Sequence, residues 1–178
     1  MIYPLPAVLV GCGDAPENWN LITIGWVGTL CTNPAMCYIS VRPERHSYEL
    51  LRRTGEFVIN LTTEQMARAT DWCGVKSGRE VNKFRETGLT AVQGNRVKAP
   101  VVDESPLAIE CRVVETKELG SHTMFIAEVV NVQADERFMD NETGEFKLHE
   151  AGLIAYSHGH YFALGEEIGR FGFSVKKK

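Results

Sequence analysis

The stretch PLAIECRVVETKELGSHTMFIAEVVNVQ, Pro106 to Gln133, decides how this chain is built. It holds two long runs rich in Val, Ile, Thr and Phe, joined by Gly120-Ser121. Such residues favour strands, and a two-residue connection opening on glycine returns a strand antiparallel to its neighbour. An antiparallel hairpin of this length argues against alternating βα units.

Working outward, AVLVGCG (7–13), NLITIGWVG (20–28), MCYISV (36–41) and EFVINL (56–61) are further strand-like runs bounded by turn residues. Three short helices are expected between the two groups of strands. HSYELLRRTG (46–55) carries apolar side chains at Tyr48, Leu50 and Leu51 and ends on Gly55, a helix stop. TTEQMARATDWCG (62–74) opens with Thr62 and Gln65 spaced as a capping box, and SGREVNKFRETG (77–88) repeats the device with Ser77 and Glu80. Strands, then helices, then strands, with no repeat or linker, predict a single mainly β domain over 1–178: a closed or nearly closed antiparallel barrel carrying helical insertions.

Composition narrows the partners. With 178 residues, 44% of them hydrophobic, the chain can bury one substantial core. A formal charge of −4 supplies no global attraction for a polyanion, so no nucleic acid is expected. No apolar run approaches the roughly 20 residues of a membrane-spanning helix, and no membrane partner is expected. The start, MIYPLPAVLV, lacks the basic residues of a secretory signal, and Pro4 and Pro6 oppose its helix. Five cysteines (Cys12, Cys31, Cys37, Cys73, Cys111) form an odd set without a CxxC pair, which fits reduced thiols in a cytoplasm better than a disulfide framework or zinc cluster.

The common nucleotide and hydrolase motifs are absent. Gly11 and Gly13 follow a strand, but Pro16 stands where a dinucleotide fingerprint needs its third glycine. There is no Walker loop, HExxH or GxSxG. His158-Gly159-His160 offers two imidazoles on one face of a strand, short of the three or four ligands a metal site requires, so no metal is expected. His158 reads either as a surface or subunit-contact residue or as a polar group near a cofactor's reactive face.

Three segments suit a ligand with a charged end and a flat one. Arg42, Arg45, His46 and Ser47 lie between a strand end and a helix start, where unpaired amides and the helix dipole favour an anion. They read as a phosphate cradle, with Ser47 at the cap; the alternative is a capped helix with solvated arginines. Ser77, Gly78, Arg79 and Lys83 combine a glycine-bearing turn, a helix start and cations. Capping alone accounts for Ser77 and Glu80, so Gly78 and Lys83 carry the ligand reading there. WVGTLC, Trp26 to Cys31, alternates small and apolar residues against which a planar ring could lie; it reads equally as a barrel strand bending at Gly28.

TIGWVGTLCTNPAMCYISVRPERHSYELLRRTGEFVINL, then SGREVNKF, then HGHYFALGEEIGRFGF together resemble the flavoredoxin branch of the flavin reductase-like, FMN-binding family over nearly the whole chain. The resemblance implies an FMN-binding split β-barrel, a homodimer with flavin near the subunit interface, and electron transfer from NAD(P)H or a redox partner protein. It implies Trp26, Val27, Gly28, Thr29 and Cys31 beside the flavin ring, and Arg42, Arg45, His46 and Ser47 at the phosphate with Ser77, Gly78 and Lys83. It places His158 and Tyr161 beside the space for a nicotinamide donor, as candidate catalytic residues. Family members often carry threonine at Ser47 and a second proline at Ala35; the first exchange keeps the hydroxyl, the second shifts the loop after Cys31. The rival readings are an FMN-dependent oxidase with a second basic pocket for a phosphorylated substrate, and a non-enzymatic barrel that binds partners.

Overall fold

The antiparallel hairpin expected from Pro106–Gln133 is the spine of the structure, a computed structural model that describes residues 2–175. In chain order the strands and helices are β1 (Leu5–Pro6), β2 (Val8–Cys12), β3 (Asn20–Ile24), β4 (Val27–Thr32), β5 (Ala35–Val41), α1 (His46–Thr54), β6 (Glu56–Leu61), α2 (Ala67–Val75), α3 (Lys83–Thr87), β7 (Ala91–Gln93), β8 (Pro100–Val102), β9 (Leu107–Glu118), β10 (Thr123–Ala134), β11 (Ile154–Ser157) and β12 (His160–Ala163). β9 and β10 pair antiparallel from Thr123↔Glu118 to Ala134↔Leu107 around the Gly120-Ser121 turn, where Gly120 takes φ 78. Two register shifts, at Ile126/Ala127 and at Val129/Asn131, bend the hairpin, as bulges do.

The seven-stranded sheet runs β3-β2-β6-β9-β10-β5-β4. Its two edges, β3 and β4, are consecutive in the chain, joined through Gly25-Trp26, so the sheet curls to bring them together; Ser40 N donates to Trp26 O at 2.9 Å, which extends the β4–β5 pairing to that link. This is the expected antiparallel barrel. The run 20–28 is therefore two strands rather than one, broken at Gly25-Trp26, because β3 bonds to β2 while β4 bonds to β5.

Alternation along the strands fills both faces. Val8, Val10, Ile22, Ile39, Phe57 and Phe125 meet inside the barrel, and Leu50 and Leu51 of α1 close one end. Leu9 and Leu21 face outward under Met66 and Cys73 of the α2 region and Phe84 of α3. Segment Val97–Val101 covers Val58 and Ala108. Each large apolar side chain buried this way contributes about 1.5–3 kcal/mol, so α2 and α3 are held by packing, and with them the loop between them.

Two helix starts differ from expectation. Thr62 is buried and its hydroxyl donates to Ala7 O, so it ties β6 to β2 instead of capping; a 3-10 turn at Glu64–Met66 leads into α2. Ser77 starts a tight turn, with Arg79 N donating to its Oγ and Glu80 N to its carbonyl, and α3 begins five residues later at an N-cap formed by Asn82, which accepts from Arg85 N. α1 does end on Gly55, at φ 64. β1, β11 and β12 form a separate small sheet beside the barrel.

Candidate functional site

β5 ends at Val41, the chain turns through Arg42–Arg45, and α1 begins at His46 with Arg45 as an N-cap that makes no side-chain capping bond. Tyr48 N donates to Arg45 O at 3.0 Å, and the amides of His46 and Ser47 are left for an external acceptor. Ser47, expected at the cap, lies instead two residues past the N-cap Arg45 and is buried; its Oγ accepts from Asn20 Nδ2 at 2.8 Å. Facing it, Lys83 is buried at the start of α3 and donates one proton to Cys73 O at 2.6 Å. The turn at Ser77-Gly78 closes over the top. A Cβ on Gly78 would stand 2.2 Å from Asn20 Oδ1 and 2.9 Å from His46 Cδ2, so glycine is required for that approach.

The result is a cavity of about 180 Å³ bounded by Arg45, His46, Ser47, Ser77, Gly78 and Lys83, with Asn20, Gly74 and Lys76 completing the wall and Glu44 at the rim. His46 lines it, and its Nδ1 is the one buried side-chain nitrogen or oxygen among the described residues without a hydrogen-bond partner. Burial, then Arg79, holds the His46 imidazole below its ordinary pKa, against an opposing pull from Glu49. Burial likewise lowers Lys83, with Arg45 adding to the shift and Cys73 and Cys12 opposing it. Cations, hydroxyls and open amides make a donor-rich site suited to a phosphate.

A second cavity of about 480 Å³ adjoins the first through the shared residues Ile22, Arg45 and Gly74. The barrel contributes Thr23, Gly25, Trp26 and Ser40, the small sheet contributes Tyr156 and Tyr161, and α2 contributes Asp71 and Val75. The Trp26 indole packs on His122 of the hairpin turn at 4.1 Å between ring centroids. Tyr161 donates its phenolic hydrogen to Asp71 at 3.3 Å and meets Tyr156 edge-on at 5.3 Å. Burial, then the Asp71 carboxylate, pushes the phenol up to about 12.

The residues singled out in the sequence fall into three groups. Arg45, His46, Ser47, Ser77, Gly78 and Lys83 come together in the smaller cavity. Trp26, Arg42 and Tyr161 line the larger one, where Arg42 pairs with Glu44 at 3.3 Å. Val27, Gly28, Thr29 and Cys31 run along β4 and line neither cavity; the Tyr38 ring covers Gly28, whose added Cβ would lie 2.8 Å from Tyr38 Cε1. His158 does not sit on a strand. It occupies the turn between β11 and β12 at φ 52, exposed, with its ring 5.4 Å from that of Tyr3. Asn20, Asp71, Lys76 and His122 were not singled out; the one local sign is an amide opening the apolar run NLITI.

Among the described residues no cluster of His, Cys, Asp and Glu suits a metal ion, and no helix is long and apolar enough to cross a membrane. A third cavity, about 450 Å³, is lined by Glu64, Glu104 and Glu150, and its Arg137 is paired to Asp135 at 2.5 Å. It lacks the basic character that a second phosphate pocket needs.

Comparison with known proteins agrees with this architecture. An uncharacterized protein of Archaeoglobus fulgidus is 32% identical over 141 residues, 79% of this chain and 78% of that one. The flavoredoxin of Desulfovibrio vulgaris (Miyazaki F) superposes with a TM-score of 0.90 at 30% identity, covering 99% of this chain and 95% of that one. An FMN-binding protein from Thermus thermophilus, solved with bound 1-cyclohex-2-enone, gives a TM-score of 0.81 at 27% identity over 94% and 90% of the two chains. The model of the flavin reductase like domain matches residues 1–165, and the chain belongs to that family.

Proposed function

We propose that the protein binds FMN, with the phosphate in the smaller cavity and the ring in the larger one, and passes electrons from NAD(P)H or a redox protein to an acceptor. The observation that carries this reading is the junction at Ile22, Arg45 and Gly74, which joins a cationic, donor-rich cradle to an aromatic-walled space. The residues present fit the cofactor: Gly78 brings the loop onto the cradle, and Arg45, Ser47 and Lys83 line it. FMN, when bound, supplies hydride and single-electron chemistry, so no protein nucleophile is needed.

The chain's own part is to hold and orient. Arg45, Lys83, Ser47 and the α1 amides bind the phosphate. Trp26, Tyr156 and Tyr161 exclude water from the ring space, and Tyr161, fixed by Asp71, stands where a nicotinamide donor would be positioned, with His158 at its outer edge. A second copy would cover the apolar surface at Phe162, Leu164, Ile168 and Phe171, all exposed in the single chain, which supports a homodimer.

Titration with FMN, FAD and riboflavin tests the reading. About one FMN per chain, retained more tightly than riboflavin and raising thermal stability, is expected. A colourless protein whose melting does not respond to FMN would leave the barrel as an interaction domain. Stopped-flow reduction with NADH, NADPH and reduced ferredoxin then identifies the donor.

A further inference from the structure

Asn20 lies on β3 and is 4% exposed. Its Nδ2 donates to Ser47 Oγ at 2.8 Å. A serine hydroxyl has one proton and two acceptor lone pairs, and an incoming N–H can use only a lone pair. The bond therefore turns the Ser47 O–H away from Asn20 and leaves it for the neighbouring Cys12 thiol or, when an anion is bound, for the cavity it shares with Arg45, Ser77 and Lys83. Asn20 Oδ1 meanwhile faces Gly78, at the spot where any Cβ would collide with it.

What the cradle then offers is one-sided. Lys83 has given one of its three protons to Cys73 O and keeps two. The α1 helix start has no side-chain cap. With the Ser47 proton kept free for an anion, these groups converge as donors on one small space.

We infer that Asn20 is a positioning residue that fixes Ser47 as a hydrogen-bond donor and thereby makes the cradle selective for a fully deprotonated phosphate. It acts through Ser47. The identity of the phosphate as that of FMN rests on the function proposed above; the orientation of Ser47 does not.

The test is a double-mutant cycle on the full-length protein, read as binding of FMN, riboflavin and inorganic phosphate. A hydrogen bond to a charged acceptor is worth enough to change affinity about tenfold. Asn20→Ala is expected to weaken FMN about tenfold and leave riboflavin within about twofold, and to cost nothing further in a Ser47→Ala background. Equal losses for FMN and riboflavin, or additive losses in the double variant, would overturn the inference. If Asn20→Ala fails to fold, Asn20→Asp keeps the shape, accepts the Ser47 proton and reverses the hydroxyl; normal FMN and phosphate binding by that variant would equally overturn it. Wild-type protein that binds inorganic phosphate, with Asn20→Asp abolishing this, yet ignores both flavins would support the role of Asn20 and remove the flavin reading. Wild-type protein that binds none of the three would remove both.

Discussion

Tyr161 and Asp71 reach each other from opposite walls of the larger cavity, the phenol on β12 donating to the carboxylate on α2 at 3.3 Å. The bond spends the phenolic proton on Asp71 and presents an oxygen lone pair to the ligand space, so the group offered there is an acceptor. A carboxamide N–H can use it. Tyr161→Phe should therefore leave FMN content unchanged and raise KM for a pyridine nucleotide about fivefold, roughly the worth of one hydrogen bond of about 1 kcal/mol. Steady-state kinetics check this: a fall in kcat with KM unchanged would mean that Tyr161 acts elsewhere. Because the phenol is pushed up to about 12, it stays neutral through the working range and should add no limb to the pH–rate profile below about pH 11.

Gly78 is where the turn comes closest onto Asn20 in the wall of the smaller cavity. Alanine there needs a shift of the whole turn, since its Cβ would overlap Asn20 Oδ1 at 2.2 Å. Overpacking of this kind costs about 1–3 kcal/mol. Gly78→Ala should lower the melting temperature by several degrees and weaken FMN at least tenfold, with riboflavin less affected, as the same titrations would show. Unaltered FMN affinity would separate the turn from the phosphate.

How much of this was legible in the sequence depends on distance along the chain. The hairpin could be read because both strands and their turn are contiguous, and Arg45–Ser47 and Ser77–Lys83 because each group is local. Asn20 and Asp71 could not, since they reach the site only when the barrel closes β3 beside α1 and packs α2 against the small sheet. The break at Gly25-Trp26 was hidden by an unbroken apolar run; what breaks it is a change of pairing partner, which no local signal encodes. The start of α3 was misplaced because Ser77 and Glu80 have the spacing of a capping box, while Asn82 makes the capping bond.

Glu110 shows the same principle in the sheet. It is 0% exposed on the outer face of β9, without a cation beside it, and accepts from Arg96 N at 2.6 Å, Val97 N at 3.0 Å, Asn131 Nδ2 at 2.6 Å and Gln133 Nε2 at 2.8 Å. Burial alone would raise its pKa, but those donors together outweigh it and hold the carboxyl below its ordinary value. A depressed folded value means that the stabilisation is present above the unfolded pKa near 4.5 and is lost as pH falls through the folded one. Glu110→Gln should cost about 2–4 kcal/mol at pH 7, by leaving amide donors facing one another. Denaturant titrations at several pH values should show the wild-type loss below about pH 4.5 flattened in this variant. An equal acid slope in both proteins would place the titration on other carboxylates.

Lys83 sets stability against binding. Its ammonium is buried with one carbonyl bond and no carboxylate partner, and burial holds its pKa below the usual lysine value of 10.5. For a base lowered in the fold, the unfolded chain binds more protons between the two values, so the ligand-free protein should gain stability as pH rises through that window. A bound phosphate reverses the preference, because it favours the charged form; FMN affinity should fall over the same window as the proton is lost. Lys83→Met replaces the stem and removes the charge, and exchanging a poorly paired buried ion for an apolar group is often neutral or stabilising. The variant should therefore melt no lower than wild type without ligand, bind FMN at least tenfold more weakly, and lose the pH dependence of binding. Thermal melts and FMN titrations between pH 7 and 10 would settle the matter, for a purely structural lysine would lower the melting temperature and leave the FMN affinity where it was.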